Sequence, residues 1–398
     1  MDDVELKPSS KSKAAVQWAP DSFLTRRWSR IGQRRRLRWT WLLPAILVSY
    51  SLLKEIKVGE PYLFKYQTEY LNLTTEQITG EIYPYSPYIY MVSLVPIFLL
   101  TDLLLYKPTM LTEVLGQIGF RAALVFGHSV SSQIVGMASY GVASASEVAF
   151  FSYIYARLEK NQYRRLTSWT RAGTMAGRTS GYLFAQAFIG LGLGTVRQLN
   201  VIAFIMPCLV LCVCVALPRV HWKVMVGRML EARDREIHAN STPSTKQLPK
   251  TYVEYVLYRV RKLRSDFSRI YSVGFIRKWS LWWAMTTCMS LQVALFAQTM
   301  WGEVSRGEGS NKLNGFTEAA YTFTSTCAIL AMNAVPINWD KWGEVALVVI
   351  STVDAGMLLV YARTDSIWVM YGCYVGYRSL YQVGSTMTFP PNSQLNSV

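Results

Sequence analysis

Ten stretches of this chain are long and apolar enough to cross a lipid bilayer, and that constrains its fold more than any other feature. A spanning helix needs about 20 mainly apolar residues. Runs of that kind lie near 39–57, 87–106, 109–127, 134–157, 166–191, 197–217, 279–300, 316–337, 344–362 and 367–388. A bilayer core offers no water to backbone N–H and C=O groups, so such runs must be helices. The expected class is all-α and integral to the membrane. The runs at 109–127 and 166–191 carry Glu113, Arg121, Arg171 and Arg178. They are retained because the segments joining the runs alternate in charge.

The formal net charge is +16, and it is concentrated. Residues 1–38 hold ten Lys/Arg against four Asp/Glu, and residues 218–278 hold fourteen against five. A nucleic-acid-binding domain would mix its basic residues with soluble, polar sequence. Here long apolar runs separate the two basic segments. By the positive-inside rule the N-terminal tail, the Tyr106–Pro108 turn, the segment from Arg157 to Arg171 and the 218–278 loop are cytoplasmic. The opposite side takes 58–86, with Glu60, Glu69, Glu76 and Glu81 against Lys65 and a boundary Lys57, together with 128–133 and 301–315. An even number of spans then leaves both termini inside.

The organisation expected is a basic tail (1–38), a six-helix bundle (39–217), a basic cytoplasmic loop (218–278), a partial second bundle (279–389) and a short tail (390–398). The first apolar run follows Arg34–Arg38 and reads as a retained signal anchor. The tail is Ser/Lys-rich and expected to be disordered. Its Arg cluster is placed to touch anionic lipid headgroups.

Little supports soluble chemistry. The sequence has no P-loop, no G-x-S-x-G and no H-E-x-x-H, so neither an ATP-driven pump nor a hydrolase is expected. All six cysteines (Cys208, Cys212, Cys214, Cys288, Cys327 and Cys373) fall within the runs, which argues against a structural disulfide. The three histidines are dispersed, so no metal site or cofactor is expected. Asn72-Leu73-Thr74 is a glycosylation sequon in the first outside loop. Asn240-Ser241-Thr242 is another, but it lies in the basic loop.

Glu147 falls within the fourth run. A carboxylate at membrane depth costs roughly 2.5–3.5 kcal/mol on insertion scales, so it marks a substrate contact, a proton carrier or half of an ion pair. Six spans, a long loop and further spans match the major facilitator layout, in which two bundles rock around a central site.

Several stretches together resemble the reduced folate carrier and thiamine transporter family. They are Gly59-Glu-Pro-Tyr-Leu63, Asn72-Leu-Thr with Ile78-Thr-Gly-Glu-Ile82, Leu94 through Asp102, Tyr106-Lys-Pro108, Ser146 through Tyr155, Trp279-Ser-Leu-Trp-Trp-Ala284 and Ile337 through Val349. The similarity runs from 39 to 389. Family members have twelve spans, so this sequence is expected to lack the last two.

The resemblance implies a carrier of planar vitamins, either dianionic folates or cationic thiamine. Such cargo needs aromatic walls and charges of opposite sign. Glu60 matches a glutamate shared by both branches. Glu147 matches a position that is acidic in the thiamine branch and arginine in the folate branch, which favours thiamine. Phe150, one turn on, is a candidate stacking or packing residue. Arg378 matches a basic position held by both branches. Two features lean away from the thiamine branch: Ala294-Leu295-Phe296 stands where thiamine members have an Asn, and Ser86 replaces a Trp.

Depth suggests two ion pairs. At 1.5 Å rise per residue, Glu147 and Arg178 sit level on either side of the loop near residue 163, as do Asp354 and Arg378 around residue 364. The expectation is a plasma-membrane vitamin carrier, not an enzyme, working by alternating access. Thiamine is the favoured cargo and reduced folate the alternative, with a non-transporting receptor-like or defective shortened form as a further reading. A proton or counter-anion is the expected coupled species, with Glu60 and Glu147 as candidate titrating groups.

Overall fold

A computed structural model describes residues 42–157, 160–220, 252–304, 313–334 and 339–387. The 1–38 and 390–398 tails, Asn240 and much of the basic loop lie outside the described residues. Each of the ten apolar runs is helical over most of its described residues. In chain order the helices are α1 (Leu42–Lys54), α2 (Leu63–Glu69), α3 (Tyr85–Leu103), α4 (Lys107–Phe126), α5 (Val130–Ser146), α6 (Val148–Arg157) and α7 (Lys160–Gly190). They continue with α8 (Val196–Ala216), α9 (Tyr252–Ser272), α10 (Gly274–Val304), α11 (Asn314–Ala334), α12 (Trp339–Arg363) and α13 (Ile367–Met387). Among the described residues there is no strand. Residues 46–398 form one compact unit; of the other, 1–45, only 42–45 are described.

The polarity of the unit 46–398 is inverted relative to a water-soluble protein. On α3, Tyr88, Met91, Val92, Val95 and Phe98 are exposed at helical spacing, and on α12 so are Val345, Val348, Val349 and Val353. Glu55, Glu113, Arg121, Asn200 and Glu318 are buried. Apolar side chains outside and ionisable ones inside is the arrangement a bilayer favours. By length and apolarity alone, five helical spans among the described residues qualify to cross a membrane: Lys107–Phe126, Val130–Ala156, Val196–Ala216, Ile276–Val304 and Trp342–Arg363. Helix α7 carries more charge, and its Arg178 reaches inward to Glu55, as described below.

The 58–86 segment is a folded cap. After the turn Glu60–Tyr62 come α2 and a π-helical turn, Gln77–Ile82. Phe64, Tyr66, Leu71, Leu73, Ile78, Ile82 and Tyr83 pack into a core with Phe120, Leu124 and Met137 of α4 and α5. Tyr66 OH donates to the Leu124 carbonyl (2.9 Å), and Tyr83 OH donates to Gln67 Oε1 (2.9 Å). Asn72 is exposed at φ 53°, a left-handed conformation that Asn tolerates. The basic loop likewise contains structure, because its 252–272 portion is α9.

One stripe of small residues draws α7 against α1. Gly173, Gly177 and Gly181 are four residues apart, the spacing that lets membrane helices approach closely. A Cβ on Gly177 would collide with the Leu52 carbonyl oxygen and lie 3.3 Å from Glu55 Cβ; one on Gly181 would lie 2.9 Å from the Lys57 nitrogen. Gly177→Leu is therefore expected to lower the melting temperature and membrane yield sharply, since overpacking typically costs about 1–3 kcal/mol or more. Gly372→Ala, which meets nothing within 4 Å, is the control expected to leave both unchanged.

Candidate transport site

The end of α1 gathers charge from four helices. Lys54 Nζ lies 2.5 Å from Glu113 Oε1 on α4 and 3.2 Å from Glu147 Oε1. Next in sequence, Glu55 Oε2 accepts from Arg178 Nε on α7 at 2.7 Å. Lys57 Nζ lies 3.3 Å from Glu60 Oε1, which is also 3.5 Å from Arg121 Nη2. Tyr182 OH donates to Glu60 Oε2 (3.2 Å). Four cations and four carboxylates therefore interleave: Lys54, Lys57, Arg121 and Arg178 with Glu55, Glu60, Glu113 and Glu147. Gly59 lets the turn carrying Glu60 come close: a Cβ there would sit 2.9 Å from Asn200 Oδ1 and 3.1 Å from Arg121 Nη1.

This geometry corrects the Glu147–Arg178 pairing expected from depth. The two residues are not partners: Glu147 is held by Lys54 at the end of α1, and Arg178 by Glu55 just past it. Depth fixes height along a helix but not direction around it. Successive residues on a helix are about 100° apart, so Lys54 and Glu55 face different neighbours. The glycine stripe on α7 then brings Arg178 to Glu55, leaving Lys54 to Glu113 and Glu147.

Glu147 itself sits where α5 stops and α6 begins. Its N–H bonds back to the Ser144 carbonyl, and the Phe150 N–H bonds back to the Glu147 carbonyl, so the helix is locally overwound. Short interruptions of this kind often mark functional hinges. The Glu147 side chain is 46% exposed, against 3% for Glu113. Tyr90 on α3 lies within electrostatic reach of both Glu147 and Tyr381 on α13. Phe150 is turned inward: it is 2% exposed, stacks on Tyr50 at 5.1 Å and meets Phe151 edge-on. Its ring is a packing surface in this conformation, not an open face for cargo.

A second polar centre lies in the later helices. Arg378 Nη1 donates to the Ser290 carbonyl (3.2 Å) and Oγ (2.8 Å), and Nη2 donates to Tyr321 OH (3.4 Å). Its guanidinium lies over the Tyr321 ring at 4.8 Å. Tyr374 OH donates to Glu318 Oε1 (3.0 Å), and Trp301 meets Tyr371 and Tyr374 edge-on at 5.0 Å each. The expected Asp354–Arg378 pair is not formed. Arg378 faces α10 and α11, whereas Asp354 Oδ1, on α12, is buried without a hydrogen-bond partner among the described residues. The same limit on depth reasoning applies.

Contacts between the first six spans and the last four gather at the capped end. Gln298 Nε2 donates to the Glu60 carbonyl (2.5 Å), and Gln298 Oε1 accepts from the Phe64 N–H (3.3 Å). Thr75 Oγ1 donates to Glu303 Oε1 (3.0 Å), and Gln186 Oε1 accepts from the Phe316 N–H (3.0 Å). Deeper, Thr179 and Thr322 hydroxyls meet at 2.8 Å.

Solved structures share this arrangement of helices. A variant of the nucleoside transporter NupG aligns with a TM-score of 0.53 at 12% identity, covering 87% of this chain and 80% of that one. A D-xylose–proton symporter aligns with a TM-score of 0.53 at 13% identity and the same coverage. At such identity the likeness establishes the fold alone: a multi-pass membrane helix bundle of the major facilitator type. The chain belongs to the reduced folate carrier family, whose model matches residues 38–390. Similar proteins include Folate-like transporter 2 of Caenorhabditis elegans, 34% identical over 347 residues, covering 87% of this chain and 80% of that one. Thiamine transporter 2 of Homo sapiens is 30% identical over 382 residues, covering 88% and 77%. Membership makes the chain a membrane transporter of the folate and thiamine carrier kind.

Proposed function

We propose that this protein carries a cationic, planar vitamin of the thiamine type across the plasma membrane by alternating access. The observation that supports this most is Glu147. It is a half-exposed carboxylate at a helix break, within electrostatic reach of Tyr90 and holding only a share of Lys54. A thiazolium or aminopyrimidine would meet negative charge at Glu147 and aromatic edges at Tyr90 and Tyr381. Arg378, already engaged by Ser290 and Tyr321, serves in this reading to shape the wall. Alternating access would proceed by breaking the Gln298, Thr75 and Gln186 contacts at the capped end while the other end closes.

Reduced folate is the second reading. The Caenorhabditis elegans relatives at 30–34% identity carry folate names, and Arg378 offers a guanidinium to an anion. Uptake of labelled thiamine and labelled reduced folate by cells expressing this chain separates the two. Saturable thiamine uptake, competed by excess thiamine and not by folate, is expected; the reverse pattern would overturn the cation reading.

The cap is assigned to the extracellular side, with the 1–38 tail and the 218–278 loop in the cytoplasm. The division into a six-helix bundle, a basic loop and a four-helix partial bundle is part of the same proposal. Asn72 is exposed on the cap, and Thr74 Oγ1 accepts from the Gln77 N–H, which fixes the sequon at the start of the next turn. Endoglycosidase treatment of surface protein is expected to increase its gel mobility, and Asn72→Gln to abolish that shift. Retention of the shift in the variant would refute glycan at this position.

A further inference from the structure

Helix α9 carries five Lys/Arg against two Asp/Glu, too much charge for a helix that crosses a bilayer. Yet one side of it is apolar and uncovered. Val253, Leu257, Val260, Phe267 and Tyr271 recur at helical spacing, and all are exposed. At about 100° per residue they fall within about 80° of the helix circumference. Tyr255, on the opposite side, is buried, so the stripe points away from the body of the protein. The rings of Phe267 and Tyr271 lie 4.6 Å apart at one end of the stripe. Beside it, over roughly the next 100°, Arg261, Ser265, Ser268, Arg269 and Ser272 line an open groove. Guanidiniums and hydroxyls together offer a phosphate both positive charge and hydrogen-bond donors.

Both ends of α9 are tied to spans. Tyr252 OH donates to the carbonyl of Leu103, the last residue of α3 (2.5 Å). Ser272 lies two residues before Gly274, where α10 begins. A helix held at both ends by spans runs along the membrane surface. We propose that α9 lies in the membrane interface, with its apolar stripe among the upper acyl chains and its Arg/Ser groove on the headgroup phosphates of anionic lipid. Helices with low net hydrophobicity and opposed apolar and basic faces take this position, and a tyrosine such as Tyr271 favours that depth. The cytoplasmic leaflet, to which this loop is assigned, is the anionic one, and each basic residue near it strengthens attachment about fivefold.

The test uses the full-length chain with p-benzoylphenylalanine in place of Phe267. It is reconstituted into phosphatidylcholine vesicles with or without about one-fifth phosphatidylserine in both leaflets, so the outcome does not depend on which way the loop faces. After ultraviolet irradiation, the mass added to the 252–272 peptide identifies what the stripe touches. Phospholipid adducts are expected in the anionic vesicles, and about fivefold fewer or less in phosphatidylcholine alone. Arg261→Gln/Arg269→Gln is expected to lower the yield in anionic vesicles by a similar factor, at an unchanged melting temperature. Should that variant not fold, Arg261→Gln/Lys262→Gln leaves Arg269 in place and is expected to lower the yield likewise. The same probe at Lys262, which is exposed on the side opposite the stripe, is expected to take up little lipid. A yield that ignores both phosphatidylserine and the arginines overturns the headgroup role. Equal lipid adducts at 262 and 267 overturn the orientation. Adducts to a second copy, or to another part of the same chain, in place of lipid overturn the proposal and name what covers the stripe.

Discussion

Glu55→Gln is expected to remove most of this protein from the membrane fraction of expressing cells, and Arg178→Gln to do the same. Glu55 is buried beneath the glycine stripe, and Arg178 Nε reaches its Oε2 at 2.7 Å. Removing one partner leaves the other buried and uncompensated, which costs about 3–5 kcal/mol, a large part of a typical total stability. Glu55→Gln/Arg178→Gln is expected to recover much of the lost yield, because both charges go together and the amides keep the shape. Lys57, 4.0 Å from Glu55, gives the lone carboxylate only weak relief. Glu147→Gln/Arg178→Gln is expected to rescue nothing, because Glu147 answers to Lys54. Surface biotinylation and melting temperature of the four variants decide it. Rescue by the Glu147 double and not by the Glu55 double would restore the pairing inferred from depth and refute the one in the structure.

The transmembrane helices were legible because the bilayer imposes a single rule on long apolar runs. Their ends were less so. The run at 279–300 extends to Gly274–Val304 and that at 166–191 to Lys160–Gly190, since charged turns continue a helix beyond the apolar core. The 58–86 segment read as an outside loop, yet Tyr66, Ile78, Ile82 and Tyr83 give it a packed interior. Its apolar residues are too few and too scattered to signal a span, and their burial depends on α4 and α5.

Within the site, Glu60, Glu147 and Arg178 were visible as charges near or within apolar runs. Lys54, Glu55 and Glu113 were not recognised as site residues. The first two stand at the end of the first run, where charge usually meets the headgroups, and Glu113 looked only like a flaw in a span. Two signals were present. Lys54-Glu55-Ile56-Lys57 alternates sign, which a simple boundary does not require, and Gly173, Gly177 and Gly181 mark a face of α7 that accepts a helix at close range. Partner choice needs the angle around each helix, and that is set by packing distant in sequence.

Glu147→Gln is expected to raise the KM for thiamine about 10- to 100-fold, as loss of one charged hydrogen-bond partner costs about 1.5–3 kcal/mol. The amount of protein at the surface should change little. Glu147 is 46% exposed, and Lys54 keeps its 2.5 Å contact with Glu113 when Glu147 is neutral, so no buried charge is abandoned. This separates Glu147 from Glu55, whose replacement should destroy the fold before it alters any affinity. Glu147→Asp should retain the charge one methylene further back and fall between wild type and Gln. Reduced folate, if it enters at all, should be helped by Glu147→Gln, because the negative charge facing its own carboxylates is gone. Kinetics measured at matched surface expression distinguish these outcomes. An unchanged KM for thiamine in Glu147→Gln would show that the cargo cation is held elsewhere, leaving Glu60 or Glu318 as the carboxylates to test. A fall in surface protein that Lys54→Gln reverses would instead make Glu147 a clamp between α1 and the α5–α6 break.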